Sequence, residues 1–183
     1  MLYVFAFDRV GVAVGDLFFV DPQPESGQEG AERGVRLEVR LMERPPLTGS
    51  IYSSQTIVAD RPVWRADLLE SVAGPMGSFD RTHHHPRFKG WEPCPRVFEP
   101  AMSADPVGFV GEQLGDLAAL LDGAGLDESA VGPDDAEQLR AAVPEITATV
   151  QRLLDRVHAG ELATAPLVDG RADLGPSVRV SWL

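Results

Sequence analysis

The sequence predicts an α+β fold. It places an antiparallel sheet of five to seven strands in residues 1–85, covered on one face by two or three helices from residues 105–159, with a short strand near the C-terminus. Three observations carry this. The first half holds β-rich runs, two of which, 35–41 and 62–71, alternate apolar and polar residues with a period of two. The final third switches to apolar spacings of three and four. Between them, four prolines fall within residues 86–100, which disfavours both helix and central strand and makes 86–104 an irregular connection. The whole, 1–183, reads as one domain with a tail at 160–183.

In chain order, 2–7 and 11–20 are β-rich runs that suit neighbouring strands. Residues 21–34 are rich in Pro, Gly and Glu and read as a loop. Val35, Leu37, Val39 and Leu41 then alternate with Arg36, Glu38 and Arg40, the pattern of a half-buried strand with one wet face. Residues 51–60 suggest another strand, and 62–71 alternate again, with Trp64, Ala66 and Leu68 opposite Arg65 and Asp67. "SFDRTHHH" (78–85) is the expected partner of that strand. Asp105-Pro106 forms an N-cap with proline in the first helical position. Val107, Val110, Leu114, Leu117 and Leu121 follow at helical spacing, and Gly123 suits a stop. A second helix starts near Pro133, and Pro144 is expected to kink or divide it. "SVRVSWL" (177–183) closes the chain as a short strand.

Net charge is −12, unevenly spread: residues 61–99 carry +1, and residues 100–170 carry −10. So acidic a body disfavours non-specific nucleic-acid binding. A small anionic ligand or a protein partner remains compatible, and a polyanion would have to approach the 61–99 face. Cys94 is the single cysteine, which rules out an internal disulfide and fits a reducing cytoplasm. The apolar start lacks a basic flank and is interrupted by Asp8 and Arg9, so it reads as neither signal peptide nor membrane span. No P-loop, GxGxxG, GxSxG or CxxC is present.

Three of the four histidines are consecutive, His83 to His85. On a strand His83 and His85 share a face, about 7 Å apart, close enough for two imidazoles to reach one metal ion through bonds of about 2 Å. If 63–70 pairs with 78–85 around Gly74, Asp67 faces Arg81, Arg65 faces His83 and Val63 faces His85. Arg65, Asp67, Arg81, His83 and His85 then line one face, and a slip of one residue would put His84 there instead.

Three readings of that face stand open. His83 or His85 acts as general acid or base while Arg65 or Arg81 holds an anion such as phosphate. Alternatively, His83 and His85 bind a divalent metal, Zn or Fe, with Asp80 or Asp67 as ligand or outer partner. Glu92, Cys94 and His158 are further donors within the sequence. In the third, Asp67–Arg81 is a cross-strand ion pair and the histidines edge a solvent-exposed rim. Trp91 and Phe88 either wall a pocket or pin the irregular loop to the core.

"RADLLES…FDRTHHHPRFKGWEPC" resembles a pattern of uncharacterised actinobacterial proteins, and the preference for 15 Arg over one Lys fits a GC-rich source of that kind. More loosely, the order of Arg-bearing strand, "FDR", "HHH" and helix is similar to small ribonuclease-like toxins of toxin–antitoxin modules. That likeness spans residues 62–120 and implies roles for Asp80, His83 and His85 only. Arg81 departs from the Asn-like position of the pattern. The functions expected are therefore a His83/His85-centred, metal-dependent, hydrolase-like protein; a metal-free ribonuclease-like toxin using His and Arg; or a non-enzymatic acidic binding protein.

Overall fold

The computed structural model describes residues 1–168, 171–172 and 179–180. Five strands from the first half form an antiparallel sheet: β1 (Leu2–Ala6), β2 (Val10–Val20), β3 (Ala31–Glu43), β4 (Val58–Ser71) and β5 (His83–His85), in spatial order β1-β2-β3-β4-β5. The alternation explains the pairing. Val12, Val39 and Trp64 align across β2, β3 and β4, as do Val14, Leu37 and Ala66, so the centre of one face is apolar. Pro62, which cannot donate to a ladder, sits where the β3–β4 register shifts after Val39. Gly34 has φ 155 and lies so close to β4 that a Cβ would come within 2.0 Å of the Leu68 carbonyl oxygen.

The expected strand over 51–60 is corrected: 51–57 are turn and loop, and only Val58–Asp60 are extended, as the start of β4. The expected strand over 78–85 shrinks to β5 in the same way. Asp80 accepts from the Ser71 amide (2.8 Å) and the Ser78 hydroxyl (2.8 Å), which turns 78–82 into a capped loop.

Residues 86–104 contain a two-residue hairpin, β6 (Phe88–Lys89) with β7 (Glu92–Pro93), and a short helix, α1 (Pro100–Ala104). Asp105 caps α2 (Pro106–Leu114) through the Gly108 amide. Instead of running on to Gly123, the helix breaks at Gly115. Asp116 caps a new one, α3 (Leu117–Ala124), ended by Gly125 in the left-handed conformation. A single 3-10 turn (Glu128–Ala130) leads to α4 (Asp135–His158), 24 residues long. Pro144 lies inside α4 without dividing it. Two short strands, β8 (Leu167–Val168) and β9 (Arg171–Ala172), pair with each other. Of the expected C-terminal strand, Arg179–Val180 form β10 and pair with Phe19 and Phe18 of β2; its other residues lie outside those described. No helix among the described residues is long and apolar enough to cross a membrane.

The core lies between the apolar sheet face and the helices. Val12, Val14, Leu37, Val39, Trp64 and Leu68 meet Val110, Leu114, Ile146, Val150, Leu153 and Val157, all essentially without exposure. The first turn of α4 is tied to the sheet by one carboxylate. Buried Asp135 accepts from the amides of Asp8 (2.9 Å), Arg9 (3.0 Å) and Gly132 (2.7 Å). Each such charged bond is worth about 1.5–3 kcal/mol, and three buried donors would lose their acceptor together. Asp135→Ala should therefore destabilise the fold by roughly 3–5 kcal/mol. The check is a urea unfolding curve whose midpoint falls while its slope is unchanged.

Candidate metal centre

The second face of the sheet carries the charged residues, and it is not wet. Arg36 is 7% exposed, Glu38 3% and Asp67 0%. That corrects the expected half-exposed β3. Residues 86–98 fold over this face. Phe98 packs 5.5 Å from the His83 ring, Phe88 lies 5.7 Å from the Arg65 guanidinium, Trp91 lies 5.6 Å from that of Arg40, and Arg96 bonds Glu32 at 3.0 Å. Trp91 itself stays 62% exposed, so it walls the guanidinium without entering the core.

Strand register sets the site. Asp67 pairs with His83 and Arg65 with His85, two positions away from the expected Asp67–Arg81 and Arg65–His83 pairs. The turn is centred one residue later because Asp80 closes it onto Ser71. A shift of two preserves the face, so Arg65, Asp67, His83 and His85 do share it, whereas Arg81 drops into the turn. Two rows of side chains now cross the sheet: Gly15, Arg36, Asp67, His83 and, beside them, Ala13, Glu38, Arg65, His85. Charges of opposite sign are neighbours both along and between the rows.

Asp67 is the centre of this arrangement. Arg36 donates to it twice, Nε to Oδ1 at 2.5 Å and Nη2 to Oδ2 at 3.1 Å, and Arg65 Nε approaches Oδ2 at 3.1 Å. Burial alone would push the Asp67 carboxyl up. Arg36 and Arg65 outweigh it and hold the group well below the usual carboxylate range. In return, Arg36, which burial alone would push down, is held above its ordinary value by Asp67, Glu38 and Glu32. The expected exposed Asp67–Arg81 pair is replaced by this buried one. Arg81 instead bonds the Gly27 carbonyl through Nη1 and stands 3.6 Å from Asp80.

The imidazoles are oriented from behind. His83 Nδ1 lies 2.7 Å from the Arg81 carbonyl oxygen, and His85 Nδ1 lies 2.6 Å from that of Cys94. A carbonyl only accepts, so each neutral ring carries its proton on Nδ1 and presents a bare Nε2 lone pair. Both lone pairs face Asp67 Oδ2, His83 at 3.3 Å and His85 at 3.6 Å. All three ligand atoms fall within 4.8 Å of one another, and His85 Nε2 is buried without a hydrogen-bond partner. Lone pairs converging in a buried space repel unless a positive centre sits among them. Donor atoms around a tetrahedral ion with bonds of about 2.0–2.2 Å stand roughly 3.3–3.6 Å apart, which matches the two spacings to Asp67. A backbone carbonyl behind each ligating imidazole is the usual orienting partner of a metal site.

His84 points the other way and has the opposite tautomer. The Trp64 indole N–H donates to its Nδ1 (3.2 Å), which leaves Nε2–H to donate to Glu99 (3.0 Å). Its role is to join β5 to the start of α1. Asp80 caps the turn away from the imidazoles, with Asp67 in the position proposed for it. Cys94 contributes its carbonyl rather than its thiol, Glu92 lies in the β6–β7 hairpin, and His158 meets Glu70 at 3.5 Å. Arg36 is the residue the sequence reading missed. Its alternation with Val35 and Leu37 placed it on the right face, but nothing in the order of residues paired it with Asp67.

No family model matches the chain, and no curated protein or solved structure is significantly similar to it.

Two outcomes follow for the metal-free protein. Burial, with help from the Arg65 charge, pushes His85 below its ordinary 6.5, against the opposing pull of Asp67. The unfolded chain therefore takes up that proton first, and the stability from neutral His85 is present above about pH 6.5 and lost as pH falls below it. Melting temperature in a chelating buffer should drop between about pH 7.5 and 5.5, and His85→Gln should flatten that drop. Asp67→Asn should cost roughly 3–5 kcal/mol in denaturant unfolding, because it leaves Arg36 buried without its counter-charge.

Proposed function

We propose that Asp67, His83 and His85 bind one divalent transition-metal ion and that the protein is a metal-dependent, hydrolase-like one. The observation that supports this is the pair of imidazoles whose Nδ1 atoms are held by backbone carbonyls, so that both Nε2 lone pairs converge on the same Asp67 oxygen. Two nitrogens and one carboxylate oxygen suit Zn or Fe(II), and three protein ligands leave a position for water or substrate. An ion there would supply Lewis acidity and lower the pKa of a bound water towards about 7. The chain's own residues do the rest. Arg36 and Arg65 keep Asp67 ionised and fixed, the carbonyls of Arg81 and Cys94 fix both rings, and Phe98 shields the site from bulk water. Because the two arginines also cancel the Asp67 charge, affinity rests mainly on the imidazoles.

A second reading has one observation in its favour. Asp67 already has Arg36 and Arg65 as counter-charges, which suits a metal-free acid–base pair of His83 and His85 of the kind a ribonuclease-like toxin would use. Elemental analysis of protein purified without a histidine tag separates the two. The metal reading expects about one equivalent of Zn or Fe, or Co(II) binding in the micromolar range or tighter, abolished in His83→Ala/His85→Ala while the circular dichroism spectrum persists. Stoichiometry unchanged in that double variant, or no binding of any of the three metals, would dispose of it.

A further inference from the structure

Arg65 and Arg81, the residues that the sequence offered for holding an anion, are both engaged: Arg65 with Asp67 and Glu38, Arg81 with the Gly27 carbonyl and Asp80. The cations next along the chain are not. Arg87 and Lys89 are exposed, and neither side chain has an ion pair or hydrogen bond among the described residues. Both line a pocket of about 260 Å³ formed by the β6–β7 hairpin, with Phe88, Glu92, Pro93 and Cys94. Lys89 is the one lysine of the chain, and this free positive pair sits on a body of net charge −12.

The pocket is mechanically joined to the candidate metal centre. Its Cys94 supplies the carbonyl that orients His85, and the Cys94 amide in turn bonds the Arg87 carbonyl at 3.0 Å. Its Phe88 ring stacks beside Arg65, which pairs with His85 across the sheet. A ligand seated on Arg87 and Lys89 therefore lies against the hairpin that leads into Cys94, whose carbonyl orients the second imidazole.

We propose that this pocket is the anion subsite of the same centre and that it takes the phosphoryl group of a small phosphorylated molecule. Glu92 in the wall opposes a weakly charged anion. A phosphomonoester carries a charge of about −1.5 to −2 near neutral pH, enough to engage both cations, and its oxygens accept charge-assisted hydrogen bonds from each. The size of the pocket and the acidity of the rest of the chain favour a small molecule over a nucleic-acid strand. This assignment rests on the metal reading only for the statement that the bound group is substrate; the binding itself needs no ion.

Inorganic phosphate is the probe, titrated calorimetrically into the full chain with and without Co(II). Arg87→Ala/Lys89→Ala should weaken binding at least about tenfold, Glu92→Gln should strengthen it, and Arg61→Ala, an exposed cation elsewhere on the sheet, should leave it unchanged. With Co(II) bound, the phosphate 31P resonance should broaden, and it should not do so in the Arg87→Ala/Lys89→Ala protein. Phosphate affinity that is unaffected by the double variant, or reduced equally by Arg61→Ala, overturns the subsite. Co(II) failing to bind, while phosphate still depends on Arg87 and Lys89, overturns the metal reading and leaves the anion site standing. Co(II) binding with no broadening of bound phosphate overturns the link between the two.

Discussion

The buried carboxylate of Asp67 is the constraint around which the second face of this sheet is organised. A charge with no exposure is tolerated only when its partners return what desolvation costs, and Asp67 has the guanidinium groups of Arg36 and Arg65 against it. The arginines and the two imidazoles beside them come from three adjacent strands, so the cluster also specifies register. Slipping β5 by one residue would bring His84 onto this face and turn His83 and His85 towards the apolar one. Arg36 adds the same demand on the β3 side, where its fork meets both carboxylate oxygens.

A face built of charges cannot be closed by an ordinary amphipathic helix, and the proline-rich stretch supplies what a helix would not. Its few backbone bonds to the sheet are concentrated at the middle of β5, between Val97 and His84. Elsewhere it covers guanidinium groups with rings, Phe88 on Arg65 and Trp91 on Arg40, which removes water without demanding further hydrogen bonds. Prolines suit this segment, since they lack the amide that would otherwise need an acceptor over a charged surface. The acidic helices lie on the opposite, apolar face. The negative body and the locally basic hairpin are thus separated by the thickness of the sheet.

The three histidines show how one short strand can serve two faces. His83 and His85 receive their tautomer from carbonyls of flanking loops, and His84 receives the other tautomer from an indole N–H. The chemistry of each ring is set by a group that is distant in sequence or belongs to a turn. The same residue type therefore does two jobs at adjacent positions: His84 fastens the strand to α1, and its neighbours present lone pairs.

Composition and periodicity determined the architecture: the β-rich run at 11–20 and the alternation over 35–41 and 62–71 specified strands, and the spacing from Val107 to Val157 specified helices. It also brought His83, His85, Arg65 and Asp67 to one face, because side-chain direction in a strand depends on parity and survives a shift of two. Tertiary structure decided everything that depends on which strand lies next to which. The pairing of Arg36 with Asp67 spans 31 residues, and the bond from His85 to the Cys94 carbonyl depends on how an irregular loop folds back. The burial of a face patterned as if for water also followed from that loop, whose composition announced irregularity but not its destination. Local sequence encodes dihedral preference and polarity; a metal-like convergence of three lone pairs is set by distances between segments, and those exist only once the sheet is registered and covered.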